Sequence, residues 1–288
     1  MNWLSILVQG VLLGGLYALF AIGLSLSFGI MRLVNIAHGD LIVLSAFVAL
    51  VVVNGLGMPP FASLAVVIPA MFAVGYALQR GLLNYTLGGS LLPPLLVTFG
   101  VSVIIQNLLL EGFGAHVRRL QAGAIETESI VLPSGLAVGV FPLLVFAIAI
   151  VAIASLQLLF FRTGLGRAFR AASDDATTAE LMGVDNRHLY ALAMAIAMVF
   201  TALAGVLFAI RTTFDPASGP IRLIFAFEAV IIGGLGSFWG TLVGGMVLGI
   251  AQAIGAALSP TWQILAGHIA FLIVLIVKPS GLFPRTRE

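Results

Sequence analysis

Leu4-Ser-Ile-Leu-Val-Gln-Gly-Val-Leu-Leu-Gly-Gly-Leu-Tyr-Ala-Leu-Phe-Ala-Ile-Gly-Leu-Ser-Leu-Ser-Phe28 is a run of twenty-five residues without a charge. Coiled as an α-helix, at 1.5 Å per residue, it is long enough to cross the roughly 30 Å hydrocarbon core of a bilayer. It exceeds the roughly 7–15 residues of a signal-peptide core, no basic residue stands before it and it has no small-residue cleavage site, so it reads as a retained span. Hydrocarbon offers no water to an unpaired amide or carbonyl, so a spanning chain is built of helices or closes into a barrel. Runs of this length, rather than alternating segments of about ten residues, select helices.

Seven further apolar runs follow, at 41–56, 61–78, 91–110, 140–161, 189–210, 223–258 and 262–277. Apolar residues make up 61% of the 288 and charged residues 8%, against about 45–50% and 25% in a soluble domain. An aqueous exterior cannot be dressed from so few polar groups. The expected fold class is therefore all-α: a polytopic membrane helical bundle of about 8–10 transmembrane segments, broken or re-entrant helices included, forming one domain over residues 1–288.

The 223–258 run is too long for one span. Gly233-Gly-Leu-Gly-Ser237 interrupts it, and glycine is where helices stop or bend. It divides into 223–232, short enough to enter and turn, and 241–258. With nine segments and the 162–188 loop in the cytoplasm, nine basic residues lie inside: Arg32, Arg80, Arg162, Arg167, Arg170, Arg187, Lys278, Arg285 and Arg287. Arg118, Arg119, Arg211 and Arg222 lie outside. Counting 223–258 as one span gives six against seven, so the positive-inside bias favours nine.

Several chemistries are excluded. There is no cysteine, hence no disulfide or thiolate metal site. A net charge of +2 gives nucleic acid no purchase. Histidines 38, 116, 188 and 268 show no His-Glu-x-x-His spacing, no Gly-x-Ser-x-Gly elbow occurs, and no phosphate-loop motif precedes the one lysine, Lys278. No catalytic residue, metal or cofactor is expected. Any energy for transport comes from another chain or an ion gradient.

Two long stretches are less apolar. The 111–139 loop is external and rich in Gly, Glu and Ser. In the 162–188 loop, Ser173 can cap a helix, Asp174 and Asp175 suit its first turn, and Gly183 suits its left-handed end. That predicts a helix over 174–182 with Ala176, Ala179 and Met182 on one apolar face. Such a short helix is marginal alone. Two readings stay open: insertion into a groove on a cytoplasmic partner, or a linker lying on the membrane.

Two Gly-bearing breaks, Asn35-Ile-Ala-His-Gly39-Asp40 and the Gly233–Ser237 stretch, stand in the two halves of the chain. Paired breaks point to a central solute site in transporters. Asn35, His38, Gly39, Gly233, Gly234, Gly236 and Ser237 are thus candidate path residues, with a structural role open for His38, and turn-fixing open for Asn35 and Asp40. The 242–249 run that follows is a small-xxx-small surface for close helix approach. Gln106 and Asn107 should face the interior, as solute contacts or interhelical hydrogen bonds. Gln157, Gln252 and His268 read the same way. Glu228 is either a site for a solute ammonium or half of a structural pair with Arg222 or Arg211.

These same segments resemble one family. Gly164-Leu-Gly-Arg-Ala-Phe-Arg-Ala-Ala-Ser-Asp-Asp-Ala-Thr-Thr-Ala-Glu-Leu-Met-Gly183-Val is similar to the cytoplasmic loop of branched-chain amino acid ABC permeases of the LivH type. Asn35-Ile-Ala-His-Gly39 resembles that group's Asn-Phe-Ala-His-Gly signature, with Ile36 in place of the aromatic. Gly233 to Gly245, Thr98-Phe-Gly100 and Lys278-Pro-Ser-Gly-Leu-Phe283 also fit. The resemblance implies the permease subunit of an ABC importer for branched-chain or other small amino acids, in the inner membrane. It implies as partners a second, LivM-type permease, two cytoplasmic ATPases and an external or periplasmic solute-binding protein. Gly164, Arg167, Arg170, Asp174, Asp175, Ala179, Glu180 and Gly183 would then face the ATPases. Urea, short amides or small acids remain as alternative solutes, and an ion-coupled secondary transporter as an alternative mechanism.

Overall fold

Each apolar run becomes a helix because only the helix satisfies every backbone polar group within its own segment. In the computed structural model, which describes residues 3–283 apart from 88, 89, 91, 132–134 and 136, the elements follow in order. They are α1 (Trp3–Met31), α2 (His38–Leu56), α3 (Pro60–Gly81), α4 (Leu92–Phe113), α5 (Val140–Arg162), α6 (Gly164–Asp174), α7 (Ala176–Leu181), α8 (Asn186–Arg211), α9 (Gly219–Gly233), α10 (Phe238–Leu258) and α11 (Trp262–Val277). Seven of them, α1–α5, α8 and α10, are long and apolar enough to span a membrane. Adding the shorter apolar α9 and α11 gives nine among the described residues. The 223–258 run divides at 234–237, close to the expected place. A departure from pure helix is a small antiparallel hairpin, β1 (Ser129–Val131) on β2 (Ala137–Gly139), in the 111–139 loop.

The helix ends sort onto two faces. At one face, Ser173 donates to the Gly29 carbonyl (2.9 Å), Tyr76 Oη lies 2.9 Å from His188 Nδ1, and Arg80 lies 3.9 Å from Asp185. These contacts gather the C-terminal ends of α1 and α3 with α6 and the start of α8. At the other face Arg118 N–H donates to the Phe214 carbonyl (2.8 Å) and Leu120 N–H to Ala209 (2.9 Å), joining the segment after α4 to the end of α8. The arginine-rich loops thus share one face, as positive-inside counting requires. Arg285 and Arg287 lie outside the described residues.

α1 and α8 form the centre, with 83% of their apolar window buried, against 22% for α3 and α4. The largest helix contact is α1 against α10. Gly10 and Gly14 of α1 meet Gly249 and Gly245 of α10, backbone on backbone: a Cβ on Gly14 would stand 2.5 Å from Met246 Cα, and one on Gly249 would stand 2.3 Å from the Gly10 carbonyl. Lipid tails are as apolar as leucine, so burial alone does not join two membrane helices; close packing does.

Candidate functional site

α1 ends at Met31, where Arg32 takes a left-handed conformation (φ 51°). The chain then runs back alongside the bundle, and α2 begins at His38, deep inside. His38 Nε2 lies 2.7 Å from the Phe20 carbonyl. A carbonyl only accepts, so Nε2 carries the hydrogen. Asn35 Oδ1 accepts from Ala37 N–H (3.0 Å), tying the turn that starts α2. Both side chains are buried and engaged with backbone.

The N-terminus of α2 meets the N-terminus of α9. A Cβ on Gly39 would stand 2.1 Å from the Gly219 carbonyl, and one on Gly219 would stand 1.9 Å from Asp40 Oδ1. Neither position accepts a side chain without the two half-helices separating. Asp40 sits in this junction, its carboxylate accepting from Ser102 Oγ (2.5 Å) and Gln106 Nε2 (3.0 Å) of α4. Its negative charge stands at two helix N-termini, where the helix dipoles favour it. The partner of the Asn35–Asp40 break is therefore the start of α9. The Gly233–Ser237 break lies elsewhere. Asn107, expected to face the interior, is exposed and bonds its own helix at the Val103 carbonyl (2.8 Å). Gln106 and Asn107 border a cavity of about 150 Å³ shared with Asp215, Pro216 and Ala217.

The Gly233–Ser237 break is a tight turn held from both sides. Gly233 packs on Gly240. Ser237 Oγ caps α10 by accepting from Gly240 N–H (3.1 Å). Leu282 and Phe283 N–H groups donate to the Ile232 and Gly233 carbonyls (2.8 and 3.0 Å), so the chain after α11 satisfies the end of α9. Gly236 and Ser237 line a second cavity of about 160 Å³ with Gln157, Phe160 and Trp239.

Glu228 is buried, and its partner corrects the expectation of an arginine. His268 Nδ1 of α11 bonds Glu228 Oε1. α9 runs unbroken through 222 and 228. Six residues turn a helix by about 600°, so the two side chains leave on different faces. Arg222 instead lies over the Phe208 ring, 4.5 Å from its centroid. Gln252 accepts from the Tyr17 hydroxyl (2.5 Å). Tyr17, Arg211 and Arg222 line one cavity with it. Of these, the sequence singled out only Gln252 as an interior polar group. Arg211 and Arg222 were read as external charges and as possible partners of Glu228, and Tyr17 carries no signal within an apolar run.

At the arginine-rich face the helix expected over 174–182 is the shorter α7, and an unexpected second helix, α6, precedes it. Asp175 is extended (φ −148°, ψ 102°) and is itself the cap, accepting from Thr177 and Thr178 N–H (2.9 and 3.1 Å). Asp174 closes α6, and Ser173 is no cap, since its hydroxyl bonds Gly29. Both carboxylates and Ser173 suit a cap by type, and Asp175 has the extended backbone that a cap requires. α6 lies along α5: Thr163 accepts from Gly166 N–H (3.0 Å), Phe169 stacks on Phe160, and Arg170 donates to the Phe160 carbonyl. Gly164, Arg167 and Glu180 are exposed.

α7 ends as expected at Gly183 (φ 88°), with Val184 N–H returning to Ala179 and Gly183 N–H to Glu180. These two bonds are the terminating pattern that a left-handed glycine allows. Asn186 Nδ2 donates to the Ala176 carbonyl (2.6 Å), fastening α7 to the start of α8. Ala179 is buried. Met182, expected beside it, is 81% exposed, and Leu181 is 83% exposed.

Hydrogen bonding, first from the Thr178 hydroxyl, holds the Asp175 carboxyl below the usual carboxylate range. A lowered pKa means the cap is intact above the ordinary value and is lost as pH falls through the depressed one. Protection of the Thr177 and Thr178 amides, taken relative to the intrinsic exchange rate at each pH, is expected to fall in acid in the native protein. In Asp175→Asn, whose amide oxygen caps without titrating, that acid dependence should vanish. An identical acid response in the variant would remove Asp175 as the cap.

Residues 6–277 match the family model described as the permease component of branched-chain amino acid transport systems. The chain is 28% identical to the high-affinity branched-chain amino acid transport permease BraD of Pseudomonas aeruginosa, over 99% of this chain and 96% of that one. It is 28% identical to LivH of Escherichia coli, over 98% and 96%. It is also 31% identical to the probable permease LivM of Methanocaldococcus jannaschii, over 49% of this chain and 46% of that one. No solved structure matches.

Proposed function

The chain belongs to the branched-chain amino acid transport permease family, and on that premise we propose that it works as one half of a paired permease driven by two cytoplasmic ATPases. Its inner-membrane relatives are named for branched-chain amino acids, which supports such amino acids, or small solutes like them, as cargo. Likeness to both LivH and LivM proteins supports pairing with a homologous second chain. A solute-binding protein delivers the solute to the face carrying the 111–139 loop.

One observation carries the coupling role. Leu181 and Met182 stand 83% and 81% exposed at the end of a short helix tied to α8 through Asn186. Large apolar side chains left uncovered on a loop helix suit a groove on a partner. The ATPases grip this tip; their closure moves α6 and α7, which are packed on α5 and α8. The path through the bundle then opens alternately to each side.

Burying two such side chains contributes roughly 3–6 kcal/mol, which is about 100-fold or more in affinity. The double variant Leu181→Asp/Met182→Asp is therefore expected to fold and reach the membrane, yet to lose co-purification with the ATPases and ATP-driven uptake in proteoliposomes. Undiminished ATPase binding would refute the assignment. Uptake that needs an ion gradient and no ATP would instead favour a secondary transporter.

A further inference from the structure

On the face opposite the arginine-rich loops, α1, α8, α9, α10 and α11 enclose a cavity of about 340 Å³. Its walls include Phe20, Phe208 and Phe225, and its polar groups are Tyr17, Arg211, Thr212, Arg222, Gln252 and Gln263. Three buried atoms of these polar residues have no hydrogen-bond partner among the described residues: Arg211 Nη1, Arg222 Nε and Gln252 Nε2. All three are donors. Neither guanidinium forms an ion pair among the described residues. Of the acidic groups on neighbouring elements, Asp215 accepts from Ala217 N–H and the Ser218 hydroxyl, and Glu228 is bonded to His268 through Oε1, its Oε2 having no hydrogen-bond partner among the described residues; neither carboxylate is within ion-pair distance of the two arginines.

Buried donors that converge without an acceptor are costly unless something supplies one. Two positive charges make that acceptor an anion, and guanidinium matches a carboxylate. Arg222 is held against the Phe208 ring, 4.5 Å from its centroid, so its position is fixed in advance. The remaining lining is aromatic and aliphatic, which suits an apolar tail.

We propose that this cavity binds the carboxylate of a small apolar carboxylic or amino acid between Arg211 and Arg222, as the outward-facing station of the solute path. Gln252, oriented by the Tyr17 hydroxyl, contributes a third donor. The proposal rests on the transport reading above and adds the solute group that is recognised and where. It moves the recognition site from the glycine breaks to residues on five helices around the middle of α1.

The test uses the full chain in lipid nanodiscs, with no ATPase and no nucleotide. Binding is measured by calorimetry and by thermal melting for isocaproate, L-leucine, isohexanol, L-leucinol and inorganic phosphate. The two carboxylates are expected to bind and raise the melting temperature, and their alcohol counterparts to do neither. Arg211→Gln and Arg222→Gln should each weaken binding by about tenfold or more, the loss of a charge-assisted hydrogen bond. Arg222→Lys should recover part of that loss, because it keeps the charge. The ligand comparison on the unmodified chain stands even if a variant fails to fold.

Four outcomes overturn the proposal. The alcohols bind as tightly as the acids; phosphate binds as tightly as isocaproate; Arg211→Gln and Arg222→Gln both retain full affinity; or neither acid binds. The two readings fail separately. Carboxylate binding without ATPase docking would sink only the importer reading. ATP-driven uptake by a chain that binds no carboxylate here would sink only this site.

Discussion

Gly14→Leu is expected to leave almost no correctly folded protein in the membrane. A Cβ at this position meets the Met246 Cα at 2.5 Å and the Gly245 carbonyl at 2.7 Å. Both obstacles are backbone, so no rotamer change relieves them. α1 and α10 must move apart along their whole shared seam. Overpacking of a side-chain core costs about 1–3 kcal/mol, and a clash against main chain belongs at or beyond the top of that range. The loss has no solvent compensation, since the separated surfaces meet only lipid. α1 is also the helix against which α8, α9 and α5 pack, so the damage spreads to the centre. Gly55→Ala is the matched control: nothing lies within 4 Å of a Cβ there. Alanine in a helix is favoured over glycine by roughly 0.5–1 kcal/mol, so this variant should accumulate and melt at least as well as the native chain. Detergent-solubilised yield, elution profile and melting temperature report the difference. A monodisperse Gly14→Leu protein with native melting would show that the seam does not hold the bundle.

The spans were legible because their signal is length and apolarity, neither of which needs a partner. The α1–α10 seam was half legible: small residues at 242–249 announced close approach, without naming α1. The break before His38 was visible as polar residues between two spans. Its partner was not. The sequence pointed to Gly233–Ser237, because glycines mark broken helices, whereas the junction is made by the start of α9, where Gly219 follows a short loop. Glycine shows that a backbone must bend or come close; it does not show to what. The Glu228 pairing failed for a related reason. Arg222 was the near charge in sequence, but a continuous helix turns it to another face, and His268 is forty residues away. Membrane helices apolar on every side give no amphipathic stripe from which the buried face is read. That is why Arg211, Arg222 and Tyr17 were not recognised as neighbours around one cavity. In the 162–188 loop, three successive residues able to cap, at 173–175, left the boundary ambiguous by two positions. The backbone of Asp175 decided it.

Asp40→Ala is expected to destabilise the α2–α9 junction by about 1–3 kcal/mol. The carboxylate accepts from Ser102 and Gln106, both on α4. Its removal strands the buried Ser102 hydroxyl, a loss of roughly 1–3 kcal/mol, and leaves the half-buried Gln106 amide with only its bond to Ser102 Oγ. A space also opens beside Gly219, whose contact with Asp40 brings α9 against α2. Asparagine distinguishes the hydrogen-bond account from one of simple volume. Asp40→Asn keeps the shape and lets Ser102 donate to the new carbonyl oxygen. It also turns an amide NH₂ toward the Gln106 NH₂, donor against donor. A loss intermediate between native and Asp40→Ala is expected. Gln106→Glu alone should be worse than Asp40→Asn, because it faces one buried carboxylate with another. The double variant Asp40→Asn/Gln106→Glu restores a donor–acceptor pair with the charge moved across to α4, and should recover part of the loss. Such a cycle isolates the pairwise contribution from the cost of each change alone. The charge then stands farther from the two helix N-termini, so recovery is expected to fall short of native stability by a few tenths to about 1 kcal/mol. Thermal melting of the four proteins in nanodiscs gives the comparison. If the double variant is no better than the worse single one, Asp40 acts by filling space, and the bonds across to α4 do not fasten the junction.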